Sequence, residues 1–113
     1  MEILPVINRI YELYKEIVVF NANLPKKWRY GLGLSMENTI LDLVSNCVMA
    51  KNAPKSLKAA YLIKATSLQE VTVLKLRLYL DLEVVNETRI FQLQAKLSEI
   101  GRMLGGWLKS TTT

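Results

Sequence analysis

The sequence predicts an all-α protein, an antiparallel up-down-up-down four-helix bundle. Three observations carry that expectation. Apolar residues recur at helical spacing in four separate stretches. The breaks between the stretches are short, and hold proline or asparagine where the next helix restarts. Five glycines and three prolines in 113 residues are few for an all-β chain of this size. Short connections favour antiparallel neighbours.

The first helix is expected over residues 5–21, where Val6, Ile7, Ile10, Leu13, Tyr14, Ile17 and Val18 form one stripe of period 3.6. Pro25 suits the first position of the second helix, where its missing N–H is no loss. That helix is expected to reach residue 51, with Met36, Ile40, Leu43, Val44, Cys47 and Val48 inward; Gly31 and Gly33 weaken its first two turns. Asn52-Ala53-Pro54 breaks the pattern, and a third helix follows over 54–82. Asn86 is a good N-cap for a fourth helix over 87–109. The last residues, 111–113, are three threonines and are expected to fray. The core is expected to include Ile10, Ile17, Ile40, Val44, Leu68, Leu78, Leu93, Leu97 and Leu104.

The third helix is apolar on two sides. Tyr61, Leu62, Ala65, Leu68, Leu76, Tyr79 and Leu80 span one arc at about 100° per residue. Ile63, Val71, Leu74, Leu78 and Val85 span another, with Lys64 and Lys75 between the two. A helix of a monomeric bundle needs one buried stripe, so a second apolar side must be covered. Two readings remain: a central, heavily packed helix, or self-association, which is preferred, with Leu62, Leu76 and Leu80 as interface residues.

One domain, residues 1–113, is expected, burying about 65% of its unfolded surface. The single Cys47 excludes an intrachain disulfide and fits a reducing compartment. Glu2 stands where a signal peptide would have a basic region, and no stretch approaches the roughly 18 apolar residues of a membrane span. A cytoplasmic protein without membrane contact is expected. The chain has no histidine, which removes the commonest general base and zinc ligand. Glu37, Asp42 and Glu99 are the acids to inspect for catalysis, but no spacing forces a pair together. Cys47 lies on the apolar stripe, the setting of a small buried hydrophobe. Neither an enzyme, a cofactor nor a metal site is expected.

Fifteen Lys and Arg against ten Asp and Glu give a net charge of +5, which favours polyanionic partners. Lys26-Lys27-Trp28-Arg29-Tyr30 interleaves cations with aromatics. Two readings fit it equally: phosphate contact with base stacking, or a solvated helix start whose aromatics pack inward. In residues 97–109, Ile100, Leu104, Trp107 and Leu108 share one helix side, while Arg102 and Lys109 lie on the far side. Gly101 and Gly105 flank the stripe at a cost of about 1 kcal/mol each, which suggests the close approach of another backbone.

Two segments carry a family resemblance. Residues 97–109 resemble the C-terminal helix of the Avd family, the accessory variability determinants of diversity-generating retroelements. Residues 24–33, Leu-Pro-Lys-Lys-Trp-Arg-Tyr-Gly-Leu-Gly, are similar to the opening of the second helix in Avd-like proteins and in the related four-helix proteins of 23S rRNA intervening sequences. The matching positions are Pro25, Lys26, Arg29, Tyr30 and Gly33, then Gly101, Arg102, Gly105, Gly106 and Trp107; residues 74–78 match less specifically. The chain lacks the Asn-Ile-Ala-Glu-Gly-type segment of the intervening-sequence proteins, which tilts the resemblance toward Avd.

The resemblance implies a small basic bundle assembled as a homopentameric barrel, non-catalytic, associating with the retroelement's reverse transcriptase and with template RNA and cDNA in mutagenic retrohoming. The alternative is a bundle with a purely protein–protein assembly role, of the intervening-sequence type. The residues expected to contact nucleic acid are Lys26, Lys27, Arg29, Lys75, Arg77, Arg102 and Lys109, as a distributed surface. Lys75 and Arg77 point about 160° apart, so at most one of them serves a given face.

Overall fold

A computed structural model describes residues 3–84 and 86–112; Glu2, Val85 and Thr113, all used in the sequence reading, lie outside the described residues. Four helices follow in order. They are α1 (Ile3–Ala22); α2, built from Lys26–Trp28, a π-helical turn Arg29–Gly33 and Leu34–Asn52; α3 (Lys55–Asp81); and α4 (Glu87–Thr111). Among the described residues there is no strand. Each helix packs against its neighbours in the chain, and α1 closes against α4. The bundle measures 45 × 22 × 20 Å.

Local chemistry explains the boundaries. Pro25 and Pro54 hold extended N-cap positions, with ψ of 146° and 152°, one residue before the first helical position. The Asn86 side chain accepts from the Thr88 and Arg89 N–H groups at 2.8 and 3.4 Å, the N-cap expected for α4. At the far end of α2, Lys58 Nζ donates to the Ala50 and Lys51 carbonyls at 2.8 and 3.0 Å. A cation there satisfies orphan carbonyls and opposes the helix dipole. The α3 terminus winds through Glu83 at φ 52°. Val84 N–H donates to the Tyr79 carbonyl and Glu83 N–H to the Leu80 carbonyl, the pairing that glycine usually serves.

Ile10, Ile17, Ile40, Leu93, Leu97 and Leu104 are buried as expected, with Val44 and Leu68 packed at the edge of the core. Leu78 corrects the expected core: it is 40% exposed, because α3 turns its other apolar arc inward. Val18 and Val48 are also exposed. On α3, Leu62, Ala65, Gln69, Thr72, Leu76 and Tyr79 are buried. Leu62 and Leu76 have no accessible surface, so they are not available as an interface between copies, while Leu80 packs partly against the core and keeps part of its surface. The apolar side left open is the other one, with Ile63 57% and Leu74 62% exposed.

Two buried amides explain how polar residues came to lie inside. Gln69 Nε2 donates to the Leu97 carbonyl of α4 at 3.1 Å. A Cβ on Gly101 would stand 2.8 Å from that nitrogen, so the glycine makes room for a side chain, not for a backbone. Gly105 and Gly106 face open space. The second amide, Asn21, joins three helices. Its Nδ2 donates to the Gly33 carbonyl and to Glu37 Oε2, both at 2.9 Å, and its Oδ1 accepts from the Tyr79 hydroxyl at 2.8 Å. Gly33 has no side chain to block this: a Cβ there would stand 3.3 Å from Asn21 and Leu24. Burial holds the Tyr79 phenol above its ordinary pKa; the Asn21 hydrogen bond opposes that rise and the Glu37 charge adds to it.

The α1–α4 seam is ionic. Glu16 accepts from Arg89 at 3.1 Å and from Lys96 at 2.6 and 2.7 Å, and Arg9 pairs with Glu99. Burial alone would raise the Glu16 carboxyl, but hydrogen bonds from Lys96 and Arg89 outweigh it and hold the pKa below the ordinary 4.5.

Three expected outcomes follow from this packing. Tyr79→Phe leaves Asn21 Oδ1 buried without a donor and should cost about 1–3 kcal/mol in denaturant unfolding. Glu83→Gly removes a side chain from a left-handed position and should stabilise by about 1–2 kcal/mol, read as a rise in Tm. A depressed carboxylate contributes stability above its unfolded pKa and loses it as pH falls through the folded value. The stability gap between the parent and Glu16→Gln should therefore narrow below about pH 4.5 and stay constant above it.

Candidate nucleic-acid interface

The seven expected contact residues do not form one surface. Lys26 and Lys27 are exposed beside the α1–α2 turn, Lys27 lying 4.9 Å over the Trp28 ring. Tyr30 is exposed and Trp28 packs partly against the core, so the two aromatics divide between the two readings. Arg29 is half-buried, its Nη2 donating to the Leu24 carbonyl at 3.0 Å. That bond closes the turn, and the guanidinium is a structural group. Lys75 is likewise committed: its Nζ donates to Ser35 Oγ at 2.7 Å, Thr39 Oγ1 at 2.6 Å and the Ser35 carbonyl at 3.2 Å. Arg77 is exposed but stands 3.8 Å from Asp81. Arg102 and Lys109 are exposed on α4, opposite buried Ile100, Leu104 and Trp107, as their spacing implied.

Antiparallel topology puts Arg102 and Lys109 at the opposite end of the bundle from Lys26 and Lys27. The level of each residue follows from contacts across the seams. Arg9 meets Glu99, Gln69 meets Leu97, and Asp42 shares a surface depression with Ser67 and Leu68. A plane through these contacts divides the molecule. On the side of the α2–α3 turn stand Lys51, Lys55, Lys58, Lys64, Arg102 and Lys109. Residues 5–8, 43–69 and 100–112, which build that half, contain no Asp or Glu. The other half holds the remaining described acids, including Asp81 and Glu87 near the end that carries Lys26. The excess positive charge thus belongs to one end.

Five of the six cations there, Lys51, Lys55, Lys64, Arg102 and Lys109, are exposed and have no acidic partner among the described residues. Lys51, Lys55 and Lys64 were missing from the expected contact residues. The signal for them is in the sequence as a stretch of 27 residues, 43–69, without an acid. It becomes a surface only when the fold brings 100–112 to the same end.

No catalytic arrangement accompanies this charge among the described residues. Glu37 accepts from Asn21, Glu99 pairs with Arg9, and Asp42 lies apart from both. Burial pushes the Cys47 thiol up to about 12, which makes it an inert core residue. Among the described residues there is no group of His, Cys, Asp or Glu that could hold a metal ion, and no helix is long and apolar enough to cross a membrane. A groove of 560 Å³ between α1 and α4 is lined by groups of both signs, Arg9, Glu12, Glu16, Lys96 and Glu99, already engaged with one another or with α1 neighbours.

Comparison with known proteins agrees with this architecture. A solved structure from Bacteroides thetaiotaomicron, described as a protein of unknown function from the S23 ribosomal protein family, superposes with a TM-score of 0.88. It shares 17% identity, and the match covers 96% of this chain and 99% of that one. At that identity the likeness is one of fold. No curated protein matches the chain. The bAvd-like family profile matches residues 5–111, and the chain belongs to the bAvd-like family.

Proposed function

We propose that this chain is a non-enzymatic, cytoplasmic accessory protein that binds nucleic acid through its basic end and works beside the reverse transcriptase of a retroelement. Its nucleic-acid partners are template RNA and the cDNA copied from it, in mutagenic retrohoming. The observation that carries the reading is the segregation of charge: six cations and no described acid at one end of a nearly neutral remainder. Family membership supports the retroelement setting. Cations on long side chains around a bundle end contact phosphates without reading bases, so the binding is tolerant of sequence. The exposed side of α3, with Ile63, Leu74 and Leu78, favours a second property, self-association. A ring of copies, a pentamer by family resemblance, multiplies the basic end into a collective field. A role in protein–protein assembly alone is the competing reading, and the same exposed apolar side is what favours it.

Titration of a structured RNA across a salt series separates the two. Phosphate contact makes the logarithm of affinity fall with the logarithm of salt by about 0.7–0.9 per phosphate neutralised. Replacing Lys55, Arg102 and Lys109 together by alanine should shrink that slope by up to about 3 and weaken all RNAs alike, with the helical CD signal unchanged. The matched Lys26→Ala, Lys27→Ala pair should change it less. A flat salt dependence in the parent would support assembly alone. An unchanged slope in the triple variant would move the contact surface to the Lys26 end.

A further inference from the structure

The bundle carries two exposed apolar faces of different shape, on separate sides. The first is a ridge on α3: Ile63, Val71, Leu74, Leu78 and Leu82 stand exposed at intervals that keep them on one side of the helix, facing away from buried Leu62, Gln69 and Tyr79. The second lies along the seam of α1 and α2. Asn21 of α1 meets Gly33 and Glu37 of α2, which fixes the sides on which the two helices adjoin. Val18, Tyr14 and Tyr11 follow Asn21 back along α1 at helical spacing, and Leu41, Val44 and Val48 follow Glu37 along α2. Tyr11, Val18, Leu41 and Val48 are 37–54% exposed, while Tyr14 and Val44 pack partly on the core. A polar strip that includes Asn38, Asp42 and Ser45 on α2 separates the two faces.

We propose that these faces are partners: the α3 ridge of one copy seats in the α1–α2 groove of the next. This rests on the reading, given above, that the chain self-associates through the open side of α3. Shape is the first reason. A single helix presents a convex ridge, and two antiparallel helices present a shallow groove between them, so ridge and groove are complementary. Area is the second. Each face exposes on the order of 400 Å² of apolar side chain, close to the apolar half of the roughly 800 Å² that each partner buries in a stable interface. Coverage is the third. Pairing α3 with α3 hides one face and leaves the other in water, whereas ridge on groove hides both with one kind of contact. Such a contact is heterologous: it propagates, and closes into a ring or grows into a filament.

The test is complementation between two broken faces. Leu74→Glu spoils the ridge and Leu41→Glu spoils the groove; both side chains are exposed, so neither change disturbs the core. By light scattering the parent should be larger than its 12.9 kDa chain, and each variant alone should be monomeric with an unchanged helical CD signal. Mixed one to one, they retain one intact ridge and one intact groove between them. The mixture should give a species of twice the monomer mass and nothing larger. Ile63→Glu and Tyr11→Glu repeat the experiment if either first variant loses its helical signal.

A mixture that stays monomeric overturns the pairing. So does a dimer formed by Leu41→Glu alone, which would mean ridge on ridge. A Leu41→Glu protein that assembles like the parent but no longer retains the reverse transcriptase would assign the groove to the polymerase and also overturn it. A monomeric parent at the same concentration would sink the self-association reading itself, a result distinct from the other three.

Discussion

Asn21 sets the register of this bundle. Its amide touches α2 twice and α3 once, so sliding or rotating any of the three helices breaks a buried hydrogen bond. Apolar contacts alone would not impose that: Leu, Ile and Val side chains on neighbouring stripes can trade places at small cost. A buried amide cannot, because each unsatisfied group costs about 1–3 kcal/mol. The π-helical turn is part of the same device. It lies where Gly33 offers its carbonyl to Asn21, and the Arg29 guanidinium closes the turn behind it on the Leu24 carbonyl. With the register fixed, the inner side of α3 must be the one that carries Tyr79 and, at helical spacing from it, Thr72, Gln69 and Leu62.

That consequence explains what the sequence could and could not disclose. The helices themselves were legible, because Pro25, Pro54 and Asn86 mark their starts and the stripes of α1 and α4 are one-sided. The facing of α3 was not. Its buried side includes Gln69 and Thr72, while its exposed side is Ile63, Val71, Leu74 and Leu78, so the more hydrophobic arc is the outer one. Periodicity reports that a helix has apolar sides; it does not report which side has a hydrogen-bond partner waiting at Leu97. The same limit applies to Lys75 and Arg29. Both read as available cations, yet both are held by neutral oxygens of their own fold, and no composition rule separates a cation that caps or clamps from one that is free.

Charge shows the converse case, where a weak one-dimensional signal becomes strong in three dimensions. A net charge of +5 spread over a surface is ordinary for solubility. Here the α1–α2 end balances its cations with acids, and the opposite end has none among the described residues. At physiological ionic strength, charges screen one another over about 8 Å, so a polyanion responds to the local cluster and not to the total. Arg102 and Lys109 were identified from one helix face. Their partners Lys51, Lys55 and Lys64 come from the other side of the sequence, and only the fold assembles them.

The two surface features, the basic half and the pair of apolar faces, overlap only in part: Val48 and Ile63 lie in the basic half, while Tyr11, Val18, Leu74 and Leu78 lie outside it. The faces run along the sides of the helices, and Lys51, Lys55, Lys58 and Lys109 crown one end. A contact between sides therefore leaves Lys51, Lys55 and Lys109, at the helix termini, uncovered. Its geometry then decides what the ends do together. In a ridge-on-groove assembly every copy is related to the next by the same operation, and where that operation is a rotation about an axis along the helices, all basic ends point the same way. A two-fold contact with its axis across the helices would instead send the basic ends to opposite poles. Only the first arrangement brings the clusters together into one extended positive surface, of the kind that can hold a long phosphate backbone by many weak contacts at once.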